Sequence, residues 1–386
     1  MKKYIIIAAV AIAAMACSKV EPTSTPDVKV TFQAANYVPQ TKSGEVSVLD
    51  DFEAFKCKAY LHAQGIDLDE NGDVNGTSFQ NFFGTDGETI SVDDAANPTE
   101  WAPSHVYYWP KGAQSFVNFI GWYGVDGTGA ESTPTITYAY DGTASKYKAT
   151  LVWNYTSVAG NSASNLLYAD MAWRFKANND PATYGVSGAS EGVPMLFHHA
   201  LAQINVKVYA DGTSLTAGSG SVSDANATWT IALESPAITP VYNAGTLTLT
   251  NVDPETAATA QAWTGSWAGT GSTGSIAASN LNVDKVSKAT ANTLFNATCV
   301  VPQTIGATVK LTFDMRITTT YNTDPTNPNV ELIPVEVTLN AMGTTAWAQN
   351  TKYTYYLKIV PSQSKVLFDP ALEADWTEVE GTEQTL

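Results

Sequence analysis

The fold class is decided by two segments, Thr135–Tyr140 (TITYAY) and Tyr147–Trp153 (YKATLVW). In both, β-branched and aromatic residues alternate with small or polar residues at a period of two, which is typical of a half-buried β-strand. The intervening residues include Asp141, Gly142 and Ser145, which favour turns. The two segments therefore predict β-strands separated by a turn-rich connection.

Runs of the same kind recur along the chain and predict an all-β fold. They cover residues 28–34, 116–123, 204–209, 246–252, 309–317, 330–339 and 353–360. No segment carries an apolar stripe of three helical turns, and no repeat of solenoid or propeller period is evident. The polar stretches Asp211–Ala227 and Trp263–Ala278 predict surface loops or hairpin tips.

The N-terminus has the pattern of a secretory signal. Lys2 and Lys3 precede a short apolar run that ends in Ala14-Met15-Ala16-Cys17. Small residues directly before a cysteine resemble a bacterial lipobox, and the run is too short for a stable membrane span. We expect residues 1–16 to be a signal peptide and Cys17 to be the lipidated mature N-terminus, with an ordinary secretory signal as the alternative.

Lipidation at Cys17 predicts that the protein is held at a membrane surface outside the cytoplasm. Removal of the signal deletes Lys2 and Lys3 and moves the formal net charge from −17 to −19. A body of this charge is not expected to bind nucleic acid or anionic lipid electrostatically. Charged residues are only 15% of the chain, which indicates an ordinary globular surface and not a disordered acidic tail.

The chain of 386 residues is long enough for two domains with separate cores. A Gly-, Ser- and Asn-rich stretch over residues 178–192 ends at Val193-Pro194 and predicts a boundary. We therefore expect an N-terminal β-sandwich domain over residues 17–194 and a C-terminal one over 195–386. Cys57 and Cys299 lie in apolar, strand-like segments and are expected to be buried free thiols, with a disulfide as the alternative.

No catalytic residue or cofactor site is predicted, and the protein is expected not to be an enzyme. None of the four histidines, His62, His105, His198 and His199, has the spacing of a zinc ligand, and no nucleophile elbow, phosphate loop or dinucleotide fingerprint is present. His198 and His199 would face opposite sides of a strand, which favours a packed role at a strand start. An enzyme would need a cleft with paired carboxylates, which the sequence neither shows nor excludes.

Two further patterns leave alternatives open. The segment Asp67–Gly76 matches the first half of a calcium loop, but Ser78 stands where a bidentate Glu is needed, so a hydrated loop tip is favoured over a calcium site. No metal site is therefore predicted. The ten tryptophans, including Trp109, Trp122 and Trp153, lie mostly in strand-like context, which favours core packing over sugar-stacking platforms. A surface glycan-binding lipoprotein is the alternative function.

Several segments, taken in order, resemble the fimbrillins, which are lipoprotein precursors of fimbrial (type V pilus) subunits in Bacteroides-type bacteria. The segments are Val106–Pro110, Phe116–Trp122, Asn165–Ala169, Phe197–Val206, Val301–Thr304 and Trp347–Tyr355, after the lipobox. The resemblance implies two tandem transthyretin-like β-sandwich domains. It also implies a structural subunit that joins other fimbrial subunits at the cell surface, serves adhesion and is anchored to the outer membrane through the precursor's lipid. A host or bacterial surface receptor is a further partner that the resemblance allows.

The resemblance further implies that a protease removes an N-terminal strand and that a C-terminal strand of the next subunit replaces it, by β-strand addition. The candidate exchanged strand presents one apolar face, formed by Val28, Val30, Phe32 and Ala34. The candidate donor strand, within residues 365–377, has a compatible apolar set in Val366, Phe368, Leu372, Ala374 and Trp376. Pro370 suits an edge strand there. Pairing of this tail within its own domain is the alternative.

Lys42 is the candidate site of proteolytic maturation. It follows the first predicted strand in a turn-rich stretch and is the basic residue nearest the position where family precursors are cut, although many members have Arg there. An uncut anchor or tip subunit, with Lys42 as an ordinary loop residue, is the alternative. Stalk, tip and anchor roles are not distinguished by the sequence.

Overall fold

The computed structural model describes residues 29–36, 47–48, 53–64, 66–71, 73–92, 101–111, 114–126, 128–157, 164–176, 192–214, 220–255, 258–269, 273–340, 344–374, 377–378 and 384–385. The described part of the chain is built from β-strands, with two single-turn 3₁₀ helices at Lys288–Thr290 and Pro361–Gln363. The predicted all-β fold class is therefore confirmed. In these residues no helix has the length and apolar character needed to cross a membrane.

The strands of the first half are β1 (Phe32–Asn36), β2 (Ser47–Val48), β3 (Ala54–His62), β4 (Gln80–Asn81), β5 (Glu88–Val92), β6 (Trp101–Pro103), β7 (Phe116–Val125), β8 (Thr135–Asp141), β9 (Lys146–Thr156), β10 (Asn165–Ala169), β11 (Met171–Phe175) and β12 (Val193–His199). Those that follow are β13 (Ala202–Ala210), β14 (Thr213–Ser214), β15 (Val222–Ser223), β16 (Ala227–Val241), β17 (Ala244–Val252), β18 (Thr259–Gln261), β19 (Thr264–Gly269), β20 (Gly274–Ala277) and β21 (Leu281–Val283). The last are β22 (Asn292–Val300), β23 (Gln303–Thr304), β24 (Lys310–Tyr321), β25 (Asp324–Thr338), β26 (Ala346–Trp347), β27 (Thr351–Val360), β28 (Lys365–Ala374), β29 (Thr377–Glu378) and β30 (Gln384–Thr385).

The largest sheet has eleven strands and closes on itself. Its ring runs β7–β10–β12–β1–β6–β5–β3 and returns to β7, because β3 pairs with β7 from Lys56–Trp122 to His62–Phe116. Side chains on the inner face form one hydrophobic cluster, here called the barrel core, which includes Phe32, Phe55 and Phe119. Closure of the ring places these side chains inside a filled barrel.

A four-stranded sheet in the order β19–β17–β9–β8 packs against the outer face of the barrel. Between them lies a second cluster that joins Trp122 and Trp173 of the barrel to Leu151 and Trp153 of β9. Further along the chain, a six-stranded sheet containing β13, β22, β27 and β28 faces a seven-stranded sheet containing β16, β24 and β25. Their cluster contains Val206, Ile231 and Leu357, among others. Both pairs of facing sheets have the layered arrangement of a sandwich.

Strand pairing continues across the position of the predicted domain boundary after residue 194. Strand β12 spans that position and lies in the barrel between β10 and β1. After β16 the chain also returns to the barrel side, where β17 pairs with β9 and β18 pairs with β11. Leu247 and Leu249 of β17 are buried in the cluster with Trp153, and this apolar burial explains why a later segment covers an earlier sheet.

The polar stretches predicted as loops contain short strands. Strands β14 and β15 form a small hairpin, and β19 pairs along most of β17. The prediction failed for β19 because five of its six residues are exposed, so no apolar alternation marks it. The thiols of Cys57 and Cys299 are free and buried, as the sequence predicted.

Gly124 of β7 provides a test of the packing between the barrel and the four-stranded sheet. A Cβ at this position would lie 2.0 Å from the carbonyl oxygen of Ser132 and 2.4 Å from the indole of Trp153. We expect Gly124→Ala to lower the free energy of unfolding by about 2 kcal/mol, because backbone and a buried ring would have to move. Gly142→Ala is the matched control, since nothing lies within 4 Å of its added Cβ. Denaturant unfolding that gives equal stability for both variants would contradict this packing.

Candidate functional site

Strand β1, the candidate exchanged strand, has hydrogen-bonded neighbours on both edges. It runs parallel to β12, with Phe32 opposite Val193 and Asn36 opposite Phe197. On its other edge Phe32 pairs with Trp101 of β6, and the amide of Val30 donates to the carbonyl of Tyr107 at 2.9 Å. Such two-sided pairing makes β1 an internal strand of the barrel.

The side chains of β1 complete the barrel core. Val30 and Phe32 are each only 1% exposed, and Ala34 is half-buried. The ring of Phe32 contacts Phe55 and Phe119 edge-on, with centroids 6.0 and 5.4 Å apart. Burial of an aromatic side chain of this size stabilises the fold by about 1.5–3 kcal/mol. Removal of β1 would leave a strand-shaped slot with an apolar, aromatic floor. Val28, the first residue of the predicted face, lies outside the described residues.

The segment that pairs with the start of β1 is held by a buried carboxylate. Glu88 of β5 accepts hydrogen bonds from the hydroxyl of Ser104, from Nδ1 of His105 at 2.9 Å and from the hydroxyl of Tyr107 at 2.9 Å. Burial alone would raise the pKa of Glu88, but these hydrogen bonds outweigh it and hold the pKa below its ordinary value. One wall of the slot is therefore fixed by contacts that do not involve β1 itself. The sequence analysis did not identify this cluster, because only the proximity of His105 to Tyr107 is visible in the sequence.

The candidate donor strand lies on a different sheet from β1. Strand β28 pairs antiparallel with β27 over its whole length, from Val360–Lys365 to Thr351–Ala374. Val366 and Phe368 are buried, and Phe368 stacks on Tyr355 with centroids 5.6 Å apart. Leu372 and Ala374 lie further along β28, opposite Tyr353 and Thr351, whereas Trp376 lies outside the described residues. Within one chain, the two candidate strands are thus not brought together.

Cys17 and Lys42 also lie outside the described residues. The position of Lys42 in the sequence is nevertheless informative, because β1 and β2 pair antiparallel through Ala35–Val48 and Asn36–Ser47. Residues 37–46 are the connection between these two strands. Cleavage after Lys42 would therefore separate β1 covalently from the rest of the barrel.

A buried polar network, which the sequence analysis missed, lies between the barrel and the four-stranded sheet. Nδ2 of Asn118 donates to the hydroxyl oxygen of Tyr138 at 2.7 Å, so the Tyr138 hydroxyl donates to Nε2 of His62, also at 2.7 Å. Nδ1 of His62 then donates to Asp67 at 2.5 Å, and the Tyr147 hydroxyl donates to the same carboxylate at 3.0 Å. Burial raises the pKa of both tyrosines, which keeps their hydroxyls protonated as donors.

The network has the residue types of an acid–base relay but no access for a substrate. His62 is 0% and Asp67 1% exposed, and their side chains have hydrogen-bond partners within the network. Its role is structural, because it satisfies buried polar atoms that join four strands, β3, β7, β8 and β9, and the loop after β3. The sequence could not identify it, since Tyr138 lies 76 positions from His62.

The same network accounts for the calcium-like segment. The carboxylate of Asp67 points inward and also accepts the amide of Ala63 at 3.3 Å. Asp69 accepts the amides of Asn71 and Asp73 at 2.8 and 2.9 Å, as in an ordinary turn. Among the residues that the structure describes, no group of three or more His, Cys, Asp or Glu side chains is arranged to hold a metal ion.

The paired histidines lie at the end of β12, not at the start of a strand as predicted. Nε2 of His198 lies 2.8 Å from Asp170, and its ring stacks on Tyr168. His199 is buried, and its Nδ1 lies 3.0 Å from the amide oxygen of Asn165. Burial, with a smaller contribution from His198, lowers the pKa of His199 from 6.5 to about 3. The two side chains have separate partners and do not form a shared site.

Tryptophan side chains in the described residues are mostly core residues. Those buried are Trp101, Trp122, Trp153, Trp173, Trp229, Trp263 and Trp347. Trp109 and Trp267 are partly buried against the clusters. These residues do not present stacked indole faces to solvent, so the main support for a sugar-stacking surface is missing in the part of the chain that is described.

The importance of the Asp67 network is tested by Asp67→Asn. The amide cannot accept from His62, Tyr147 and Ala63 together without placing its own donors against them, so we expect a loss of about 3 kcal/mol in the free energy of unfolding. Asp73→Asn, at an exposed position of the same loop, is expected to change stability by less than about 0.5 kcal/mol. If denaturant titration found the two variants equally stable, the network would not support the fold.

His199 predicts a specific dependence of stability on pH. Its pKa in the folded state is about 3, below its ordinary 6.5, so between these values the unfolded chain binds a proton that the folded chain excludes. The contribution of neutral His199 to the free energy of unfolding is complete above pH 6.5. As pH falls below this value, the free energy of unfolding decreases by up to about 1.4 kcal/mol per pH unit. We expect His199→Gln to reduce the slope of unfolding free energy against pH in this window. The unaltered chain is the reference, and an unchanged slope in His199→Gln would refute the prediction.

Comparison with known proteins gives a family for this chain. A sequence model described as fimbrillin-like matches residues 72–376. No curated protein matches. A putative cell adhesion protein from Bacteroides uniformis is similar in structure, with 16% identity and a TM-score of 0.45, covering 92% of this chain and 99% of that chain.

Two further solved structures are fimbrial proteins. One, from Bacteroides vulgatus, has 15% identity and a TM-score of 0.47 and covers 90% of this chain and 100% of that chain. The fimbrial anchor protein Mfa2 from Porphyromonas gingivalis has 11% identity and a TM-score of 0.28 and covers 92% of this chain and 99% of that chain. Structural similarity at these values carries no argument by itself. The family assignment is based on the sequence-model match over residues 72–376. This protein belongs to the fimbrillin-like family.

Proposed function

We propose that this protein is a structural, non-enzymatic subunit of a cell-surface fimbria that joins other fimbrial subunits and serves adhesion. Membership of the fimbrillin-like family supports the subunit role. The proposal includes export as a lipoprotein, with residues 1–16 as the signal peptide and Cys17 as the lipid-bearing residue. The precursor is then anchored in the outer membrane before assembly.

Assembly proceeds, in this proposal, by exchange of β1. The observation that carries it is the position of Phe32, which is buried at the centre of the barrel on a strand next to the N-terminus. Cleavage after Lys42 leaves β1 held only by hydrogen bonds and apolar contacts. A strand from the next subunit can replace it if its side chains alternate in the same way, since β12 pairs along the whole of β1 and the opposite edge pairs at Phe32 and Val30.

The burial of Val366 and Phe368 narrows the choice of donor. These residues contribute to the core between the six-stranded and seven-stranded sheets. If this part of β28 were inserted into the next subunit, the donor subunit would lose these core contacts. We infer that the exchanged part of the C-terminal tail follows Phe368 and contains Leu372, Ala374 and Trp376. Val366 and Phe368 then serve as the anchor of the tail in its own subunit.

Two truncations of the protein lacking residues 1–17 test the donor. The chain that ends at Phe368 keeps the buried anchor and is expected to unfold cooperatively, yet to form no multimers after trypsin treatment. The chain that ends at Val360 loses Phe368 and is expected to be about 3 kcal/mol less stable or unfolded. Unheated gel electrophoresis reports multimers, and denaturant unfolding reports stability. A multimer ladder from the chain ending at Phe368 would exclude the tail as donor.

The role of Lys42 is tested separately in the full-length mature chain. We expect trypsin to cut after Lys42 and to yield denaturant-resistant multimers, and Lys42→Gln to prevent both. N-terminal sequencing identifies the cut. Multimers that form equally well from Lys42→Gln would show that maturation does not depend on this residue, and a stable uncut monomer would favour an anchor or tip subunit.

A further inference from the structure

The four-stranded sheet β19–β17–β9–β8 has one face toward the barrel and one toward solvent. Leu151, Trp153 and Leu247 pack on the barrel side. Because side chains alternate along a strand, the residues between these point outward. The outward residues that begin and end each of four segments, and those at every second position between, are here called the threonine face. The segments are 135–137, 150–154, 246–250 and 264–268.

The threonine face is ordered in rows that cross all four strands. One row consists of Thr137, Thr150, Thr250 and Thr264. The next row consists of Thr135, Val152, Thr248 and Ser266. Directly opposed side chains in such rows are about 5 Å apart. Every member of the two rows is exposed or half-buried, so the face is a continuous surface of small side chains.

The threonine face consists of Thr, Ser, Asn, Val and Ala, and none of its residues is charged. The charged outward residues of the same sheet lie together at one end and are Asp141, Lys146 and Lys148. By contrast, the solvent-facing side of the seven-stranded sheet includes Asp314 and Arg316. Charged side chains on an exposed surface hinder association with other proteins. The threonine face lacks this protection.

Hydroxyl groups of the threonine face have hydrogen-bond partners within the face. The hydroxyl of Thr246 donates to Oδ1 of Asn154 at 2.7 Å, and that of Thr264 donates to the carbonyl of Thr250 at 3.1 Å. Covering these hydroxyls costs little, because they keep their partners when water is removed. Small and β-branched side chains also lose little rotamer freedom on burial. The face is therefore inexpensive to desolvate.

The net charge of the protein restricts how two copies can meet. The formal net charge is −17, or −19 once Lys2 and Lys3 are removed with the signal, so most surfaces of two copies repel each other. The threonine face adds no charge to this repulsion. A second copy supplies a partner surface that is equally uncharged, equally small in its side chains and of the same extent. Two identical patches that face each other form a closed two-fold pair.

We propose that the threonine face is an interface through which two copies of this chain pack face to face. With strands about 4.8 Å apart and outward residues about 7 Å apart, the face has an area of about 500 Å². Two faces then bury about 1,000 Å², which is at the lower limit for a specific interface. The pair is therefore weak and reversible.

Pairing of single copies does not depend on the proposed fimbrial role. In a fimbria the subunits repeat, and many weak contacts of this kind would join neighbouring fibres side by side, because linked contacts strengthen one another. This extension to fibres rests on the proposed function.

The test is sedimentation equilibrium of the Lys42→Gln chain lacking residues 1–17, without protease. Strand exchange after cleavage at residue 42 cannot contribute under these conditions. We expect a reversible monomer–dimer equilibrium at concentrations up to about 1 mM. The dimer is expected to be tighter in about 0.5 M than in about 0.05 M salt, because salt screens the repulsion between the acidic copies.

Thr248→Lys in the same chain places a charge at the centre of the face. It is expected to weaken the dimer by about tenfold or more, although it lowers the net negative charge, because the ammonium group would lose water without gaining a partner. Thr248→Val keeps the shape and the neutrality and is expected to retain the dimer. Thr230→Lys is the matched control, since it makes the same change at an exposed threonine of the seven-stranded sheet. It is expected not to weaken the dimer.

Three results would each overturn the proposal. They are a chain that stays monomeric up to about 1 mM, an equal effect of Thr248→Lys and Thr230→Lys, and a dimer that salt weakens, which would indicate ion pairs at another surface. None of these results bears on strand exchange, because that is measured in the chain cut after Lys42.

Discussion

The first half of the molecule depends on the closure of a ring of strands around Phe32. The ring is complete only when β1 lies between β12 and β6, and the side chains of Val30 and Phe32 then complete the barrel core. Because β1 is short and precedes most of the chain, it forms a separable piece of an otherwise connected sheet. The proposed exchange of β1 would use this arrangement, because strand addition needs an internal strand position that a strand of another chain can fill.

Polar contacts reinforce this arrangement from outside the barrel. The Asp67–His62–Tyr138 network joins β3 and the following loop to β8, while Glu88 holds the segment that borders the start of β1. Both carboxylates are satisfied by side chains other than those of β1. The wall of the slot is therefore fixed by interactions that do not involve side chains of β1.

Much of the fold followed from local pattern. Period-two alternation predicted the all-β class and segments within β8, β9, β13 and β17, because half-buried strands must alternate apolar and polar residues. The free, buried state of Cys57 and Cys299 also followed from their apolar neighbours. Strand β19 was missed because its small, exposed residues carry no such pattern. The return of β17 and β18 to the barrel side was not predicted, because pairing between distant segments leaves no local signal.

For the candidate site, the sequence by itself determined which face of the N-terminal strand is apolar, since Val30, Phe32 and Ala34 share one side of any β-strand. It also determined, through the ordered segments, the family to which the chain belongs. Only the tertiary structure decided that β1 is internal, that Phe368 is buried in its own subunit, and that Asp67 faces His62. These features arise from contacts between residues far apart in the chain, whose partners are set by the packing of whole sheets and not by neighbouring residues.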